Sequence, residues 1–139
     1  MSEPSDPAPP RGWRWIDPKV IAAVHDRQLA EHGGSEGVRD PGGIESALAR
    51  PLNLVAYGDP DAADLAAAYA WGIAKNHGFV DGNKRTAWIA ARLFLADNDH
   101  RIRFEAPDAI RLMEDVAGGR VTEAELAEWF RARLTKSGA

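Results

Sequence analysis

Residues 86–96 read T-A-W-I-A-A-R-L-F-L-A, and nine of these eleven are apolar. The run has helical content and almost no polar face. A helix apolar on nearly all sides must be surrounded by protein, so this segment is expected to be the central buried helix. A second run of the same kind, residues 65–74, sets Tyr69, Trp71 and Ile73 among alanines and Gly72. Its small residues permit close packing against the first. At 139 residues the chain suffices for one domain with a real core.

Between the two runs lies H-G-F-V-D-G-N-K-R, residues 77–85. Lys84 and Arg85 fall in the first turn of the second helix, where the partial charge is already positive and backbone N–H groups are unpaired. Acids belong there by ordinary capping preference. A local rule broken without evident gain points to function, and an anion supplies the missing gain, because free amides at a helix N-terminus bind phosphate. Gly82 permits close backbone approach and positive φ. Asn83 is placed to cap the helix or fix the loop. Asp81 is an oxygen ligand suited to magnesium. His77 is a base able to take a hydroxyl proton at neutral pH. A base, a metal carboxylate and an anion site with two cations make a phosphoryl- or nucleotidyl-transfer constellation. Phe79 carries no chemistry and is expected to pin the loop to the core.

The run H-G-F-V-D-G-N-K-R-T-A resembles the signature of the Fic/Doc family, and within it the death-on-curing (Doc) toxin branch. His77, Phe79, Asp81, Gly82, Asn83 and Arg85 match the broader pattern H-P-F-x-[DE]-G-N-G-R-x-x-R. His25-Asp26, Gly33-Gly34, Asp40-Pro41-Gly42 and Val55-Ala56-Tyr57 also look like Doc toxins in order and spacing, so the resemblance covers residues 16–134. It implies an all-α, compact bundle of about six helices. Two departures matter: Lys84 replaces the second glycine and Trp88 the final arginine. Fic enzymes use that glycine and arginine to seat the phosphates for AMP transfer. Lysine is the rule in Doc toxins, and implies ATP bound in the reversed sense, its γ-phosphate presented to a protein hydroxyl.

By similarity the product is a phosphorylated threonine of elongation factor Tu, which halts translation. On this reading His77 is the base, Asp81 holds magnesium, and Lys84 with the amides of Gly82 and Asn83 stabilises the transferred phosphate. Arg85 is a second phosphate ligand or a structural pin. Lys75 stands where the branch often has an arginine, keeping the charge and losing the bidentate fork. Ile89 stands where a Doc toxin can carry a polar residue. Two alternatives remain: transfer of AMP or another nucleotide, and a catalytically silent module that sequesters a partner.

Residues 1–14, rich in proline and small polar residues, are expected to be a disordered tail, with Trp13 and Trp15 docking on the surface of a domain over residues 15–139. Asp17-Pro18 opens a helix that Gly33 ends. His25 and Asp26 fall in its middle and either border the active site or brace the helix. Asp40-Pro41 opens a second helix, ended by Pro51. Residues 51–58 then form an apolar connection, read either as core packing or as a flap that aligns the target by backbone pairing. Asp59-Pro60 starts the next helix. Residues 101–104 alternate like one short strand, which makes no sheet alone. Pro107 begins a helix that Gly118-Gly119 ends, and Thr122 with Glu125 forms a capping box for the last.

The net charge of −4 argues against a general nucleic-acid binder. There is no cysteine, hence no disulfide or thiol chemistry. The four histidines lack zinc spacing. The N-terminus has no apolar signal-peptide core and no apolar run is long enough to span a membrane, so a cytoplasmic protein is expected. Many Fic proteins carry an inhibitory helix, [ST]-x-x-x-E-[GN]. Here the nearest candidate, from Thr122, has Leu126 at the glutamate position. Inhibition is therefore expected in trans, from a separately encoded antitoxin whose C-terminal segment folds as a helix in a groove of this protein.

Overall fold

The structure, a computed structural model, describes residues 12–136. Most of the expected disordered tail lies outside the described residues. Six helices follow in order: α1 (Pro18–His32), α2 (Pro41–Tyr57), α3 (Ala62–Asn76), α4 (Asn83–Asp97), α5 (Ala106–Ala117) and α6 (Glu123–Arg133). The only sheet among the described residues is one antiparallel pair, β1 (His100–Ile102) with β2 (Leu134–Lys136). This is the all-α bundle expected from the sequence.

Capping chemistry sets most boundaries. Asp17 accepts from Lys19 N–H at 2.8 Å and Asp40 from Gly43 N–H at 3.0 Å. Each stands before a proline in the first turn, where the missing N–H costs nothing. Thr122 and Glu125 close the expected capping box, at 3.1 and 2.9 Å. Asp59-Pro60 does not start α3: Asp61 does, because it forms a reciprocal box with Asp64, at 2.9 and 3.0 Å.

Pro51 does not end α2, which continues to Tyr57 with the Pro51 ring buried. A proline removes the bond to the carbonyl four residues back, here Ala47. That carbonyl faces Gly72 of α3: a methyl built on Gly72 would sit 3.4 Å from it and 3.1 Å from Ala47 Cα. Leu54 and Val55 continue the apolar face of α2 onto the core, which holds the last turns in place.

The central helix is α3 and not, as expected, the one that begins near Thr86. Its alanines, Leu65, Tyr69 and Ile73 are buried all round, and it packs on α2, α4, α5 and α6. In α4 only the face of Thr86, Ala87, Ala90, Ala91, Phe94 and Leu95 is buried. Trp88, Ile89 and Leu93 are half-buried and Arg92 is exposed. Tyr69 Oη accepts from Ile16 N–H at 3.1 Å, and Trp13 and Trp15 pack on Phe94 with centroids 5.8 and 5.9 Å apart. The strand over 101–104 is shifted to β1 and finds its partner in β2, beyond α6. No helix among the described residues is long and apolar enough to cross a membrane.

Candidate active site

The loop between α3 and α4 is held at both ends by its own residues. His77 caps α3 in the left-handed conformation, φ 47°. Gly82 is the N-cap of α4 at φ 79°. Asn83, the first residue of α4, fixes the loop: its Oδ1 accepts from Phe79 N–H at 3.1 Å and its Nδ2 donates to Phe79 O at 2.9 Å. Phe79 is buried, as expected of a pin.

Asp81 is gripped at three points. Its Oδ1 accepts from Gly82 N–H at 3.1 Å and its Oδ2 from Ser35 N–H at 3.2 Å. Its main-chain oxygen accepts from His25 Nε2–H at 2.8 Å. Its side chain is exposed and keeps lone pairs free beyond those bonds. Among the described residues no three His, Asp or Glu side chains cluster as a ready-made metal cage. This donor set fits magnesium, which uses one or two carboxylates and completes its shell with water and phosphate oxygens.

The segment before α2 runs along this loop. Arg39 N–H and Asp40 N–H donate to Gly78 O at 2.8 and 3.0 Å, and Val80 N–H to Gly37 O at 3.0 Å. Val38 bridges Phe79. Gly34 has φ 123°, and a methyl there would lie 3.1 Å from Asp81 Oδ2, so only glycine lets the chain pass so close. The extended stretch beside the loop is therefore 33–40. Residues 51–57, read as a possible flap, are helix.

Lys84 and Arg85 occupy the first turn of α4, exposed and without a hydrogen bond or ion pair. The amides of Asn83, Lys84 and Arg85 have no partner either, since the first helical bond is Thr86 N–H to Gly82 O. The Gly82 amide is engaged by Asp81. Lys84 and Arg85 line a trough of about 340 Å³ together with Trp88, Ile89, Phe104, Met113 and Glu114. Gln28 and Ile89 also line a second hollow, with Val20 and Val24 of α1, so one apolar groove follows α1 and α4. His77 is exposed, unbonded and outside the trough. Lys75 Nζ stands beside Gly119, at the turn between α5 and α6: a methyl there would be 3.5 Å from it.

Sequence reasoning missed Ser35 and underweighted His25. The run of glycines over 33–37 was the available signal for the first. Nothing local marks the second, whose contact spans 56 positions. Asp26 is exposed and unbonded, so the two do not act as a pair.

Residues 15–95 match the protein-family model described as the Fic/DOC family. The chain is 34% identical over 119 residues to "Protein kinase doc" of Escherichia phage P1, covering 85% of this chain and 94% of that protein. It is 45% identical over 89 residues to "Toxin Doc" of Mycolicibacterium smegmatis, covering 61% of this chain and 68% of that one.

Proposed function

The chain belongs to the Fic/DOC family, and from that premise we propose that it is the toxin of a toxin–antitoxin pair, acting in the cytoplasm as an ATP- and magnesium-dependent protein kinase. Its target hydroxyl is a threonine of a translation factor, elongation factor Tu by similarity. The names of its relatives, a protein kinase and a toxin, support the class.

The observation that carries the chemistry is the unpaired Lys84 and Arg85 beside three free amides, in the lining of a largely apolar trough. A volume of about 340 Å³ lies in the range of small-molecule sites. Trp88 and Phe104 would take the nucleoside of ATP, and Lys84 and Arg85 its phosphates. Lys84, in place of the second glycine of the AMP-transferring pattern, favours phosphate transfer over AMP transfer. His77 takes the proton of the target hydroxyl. Lys84 and the amides of Asn83 and Arg85 stabilise charge on the phosphoryl group. Arg85 serves as the second phosphate ligand. Asp81 holds magnesium, which when bound neutralises charge on the phosphate oxygens. The segment 33–40 lines the target up beside the loop. The groove along α1 and α4, with Val20, Val24 and Ile89 exposed or half-buried in it, takes the helical C-terminal segment of the antitoxin.

Elongation factor Tu incubated with the protein and labelled ATP tests the reading. Label from the γ-phosphate on a threonine is expected. Label from the α-phosphate indicates nucleotidyl transfer. Toxicity that survives His77→Asn, a change that keeps the left-handed cap, indicates a silent binding module.

A further inference from the structure

His25 lies on α1, far in sequence from the loop, yet it is among the most buried polar side chains of the molecule, 4% exposed. Its ring stacks on Phe79 at 3.7 Å between centroids with the planes 10° apart. Its Nε2 is 2.8 Å from the main-chain oxygen of Asp81. A carbonyl only accepts, so Nε2 carries the hydrogen. Phenylalanine or leucine would fill the same space, and what imidazole adds is that one donor.

We propose that His25 is a positioning residue for phosphoryl transfer, acting through the Asp81–Gly82 peptide; the inference rests on the kinase reading above. A peptide unit is planar, with its C=O and N–H on opposite sides. Holding the Asp81 oxygen toward α1 turns the Gly82 N–H the other way, onto Asp81 Oδ1 at 3.1 Å. Gly82, with φ 79°, is the residue at which this peptide rotates most easily. Were it to turn over, the Asp81 oxygen would face the anion site at the N-terminus of α4 and repel phosphate. The carboxylate would lose its bond to Gly82 as well. The ring also packs against Gly82, where an added methyl would be 3.5 Å from His25 Cδ2. One hydrogen bond from α1 thus helps hold the metal carboxylate, alongside the Ser35 amide, and sets the sign of the potential at the phosphate site.

Two substitutions separate the donor from the ring. His25→Phe keeps the stack on Phe79 and loses the donor. His25→Gln keeps an N–H donor at similar reach and loses the ring. His25→Phe is expected to fold, with kcat lowered ~10- to 100-fold, KM for the protein target little changed, and a higher magnesium requirement. Hydrogen exchange in the peptide spanning 79–86 should be faster, which reports the loop independently of activity. His25→Gln should recover most of kcat and of the exchange protection. Wild-type kcat and exchange in His25→Phe, or a His25→Gln variant as impaired as His25→Phe, overturn the proposal. If the wild-type protein transfers no γ-phosphate at all, the kinase reading fails, and the exchange comparison still decides whether His25 holds the loop.

Discussion

Asn83 reaches back and clamps both backbone groups of Phe79, accepting its N–H at 3.1 Å and donating to its carbonyl at 2.9 Å. The residue expected to serve the site through its amide also locks the loop that carries the site. Asn83→Ala removes two half-buried hydrogen bonds and is expected to cost about 1–2 kcal/mol. Asn83→Asp should cost as much or more, because a carboxylate oxygen then faces the Phe79 carbonyl. Thermal unfolding checks both. A Tm unchanged in Asn83→Asp refutes the clamp.

The glycines at the two ends of the loop are required for different reasons, and the difference is measurable. A methyl on Gly78 would stand 2.3 Å from Ile44 Cγ1 and 3.2 Å from Asp40 O. Gly78→Ala is thus an overpacking change, expected to cost about 1–3 kcal/mol. Gly82 has room, with Leu29 and His25 at 3.4 and 3.5 Å, but φ is 79°, so Gly82→Ala should cost about 1 kcal/mol from backbone strain. Ile44→Ala relieves only the first. A double-mutant cycle that finds Gly78 and Ile44 additive contradicts this account.

Much of this architecture was readable from local chemistry. Asp17, Asp40 and the Thr122–Glu125 box each announce a helix within a few residues, and the loop from His77 to Arg85 declared itself by putting cations where capping prefers acids. What was not readable depends on partners distant in the chain. Pro51 is a helix breaker by local rule, yet the Ala47 carbonyl it frees lies against Gly72, on a different helix. Ten apolar-rich residues do not say whether α3 or α4 is central, since the uncovered face of α4 borders the groove instead. The strand at Ile102 is paired only because Leu134 returns beside it. His25 matters because α1 crosses the loop, which no periodicity encodes.

Lys84 and Arg85 should show opposite effects on activity and stability. Both are unpaired cations in the first turn of α4, where the helix dipole disfavours positive charge. Lys84→Ala is therefore expected to raise stability by about 0.3–1 kcal/mol. It should also lower phosphate transfer ~100-fold or more, the order seen when one charge-stabilising group is lost. Arg85→Ala should behave alike with a smaller kinetic loss. Tm and kcat measured on the same preparations decide this. A Lys84→Ala protein both less stable and fully active would mean that the lysine serves the fold.

The N-cap of α3 predicts how the bundle meets acid. Arg131 of α6 donates to Asp61 at 2.8 and 3.0 Å and to Asp64 at 2.9 Å, tying the start of the central helix to the last one. The Arg131 hydrogen bonds hold the Asp61 carboxyl at about 2, against an ordinary 3.8, and the bonds from Asp64 add to the effect. A carboxylate depressed by folding contributes stability that is fully present above its unfolded value and is lost as pH falls through its folded one. The window here is pH 4 down to about 2. Asp61 is 52% exposed, so solvent screening limits the contribution to roughly 1 kcal/mol. Asp61→Asn keeps a good N-cap and removes the charge. Its Tm is expected to fall below that of the unsubstituted protein by about 4 °C above pH 4, with the gap closing as pH approaches 2. A gap that persists unchanged at pH 2 would assign the loss to capping geometry, because the Asp61 carboxyl is by then about half protonated and most of the ion pair's contribution has gone.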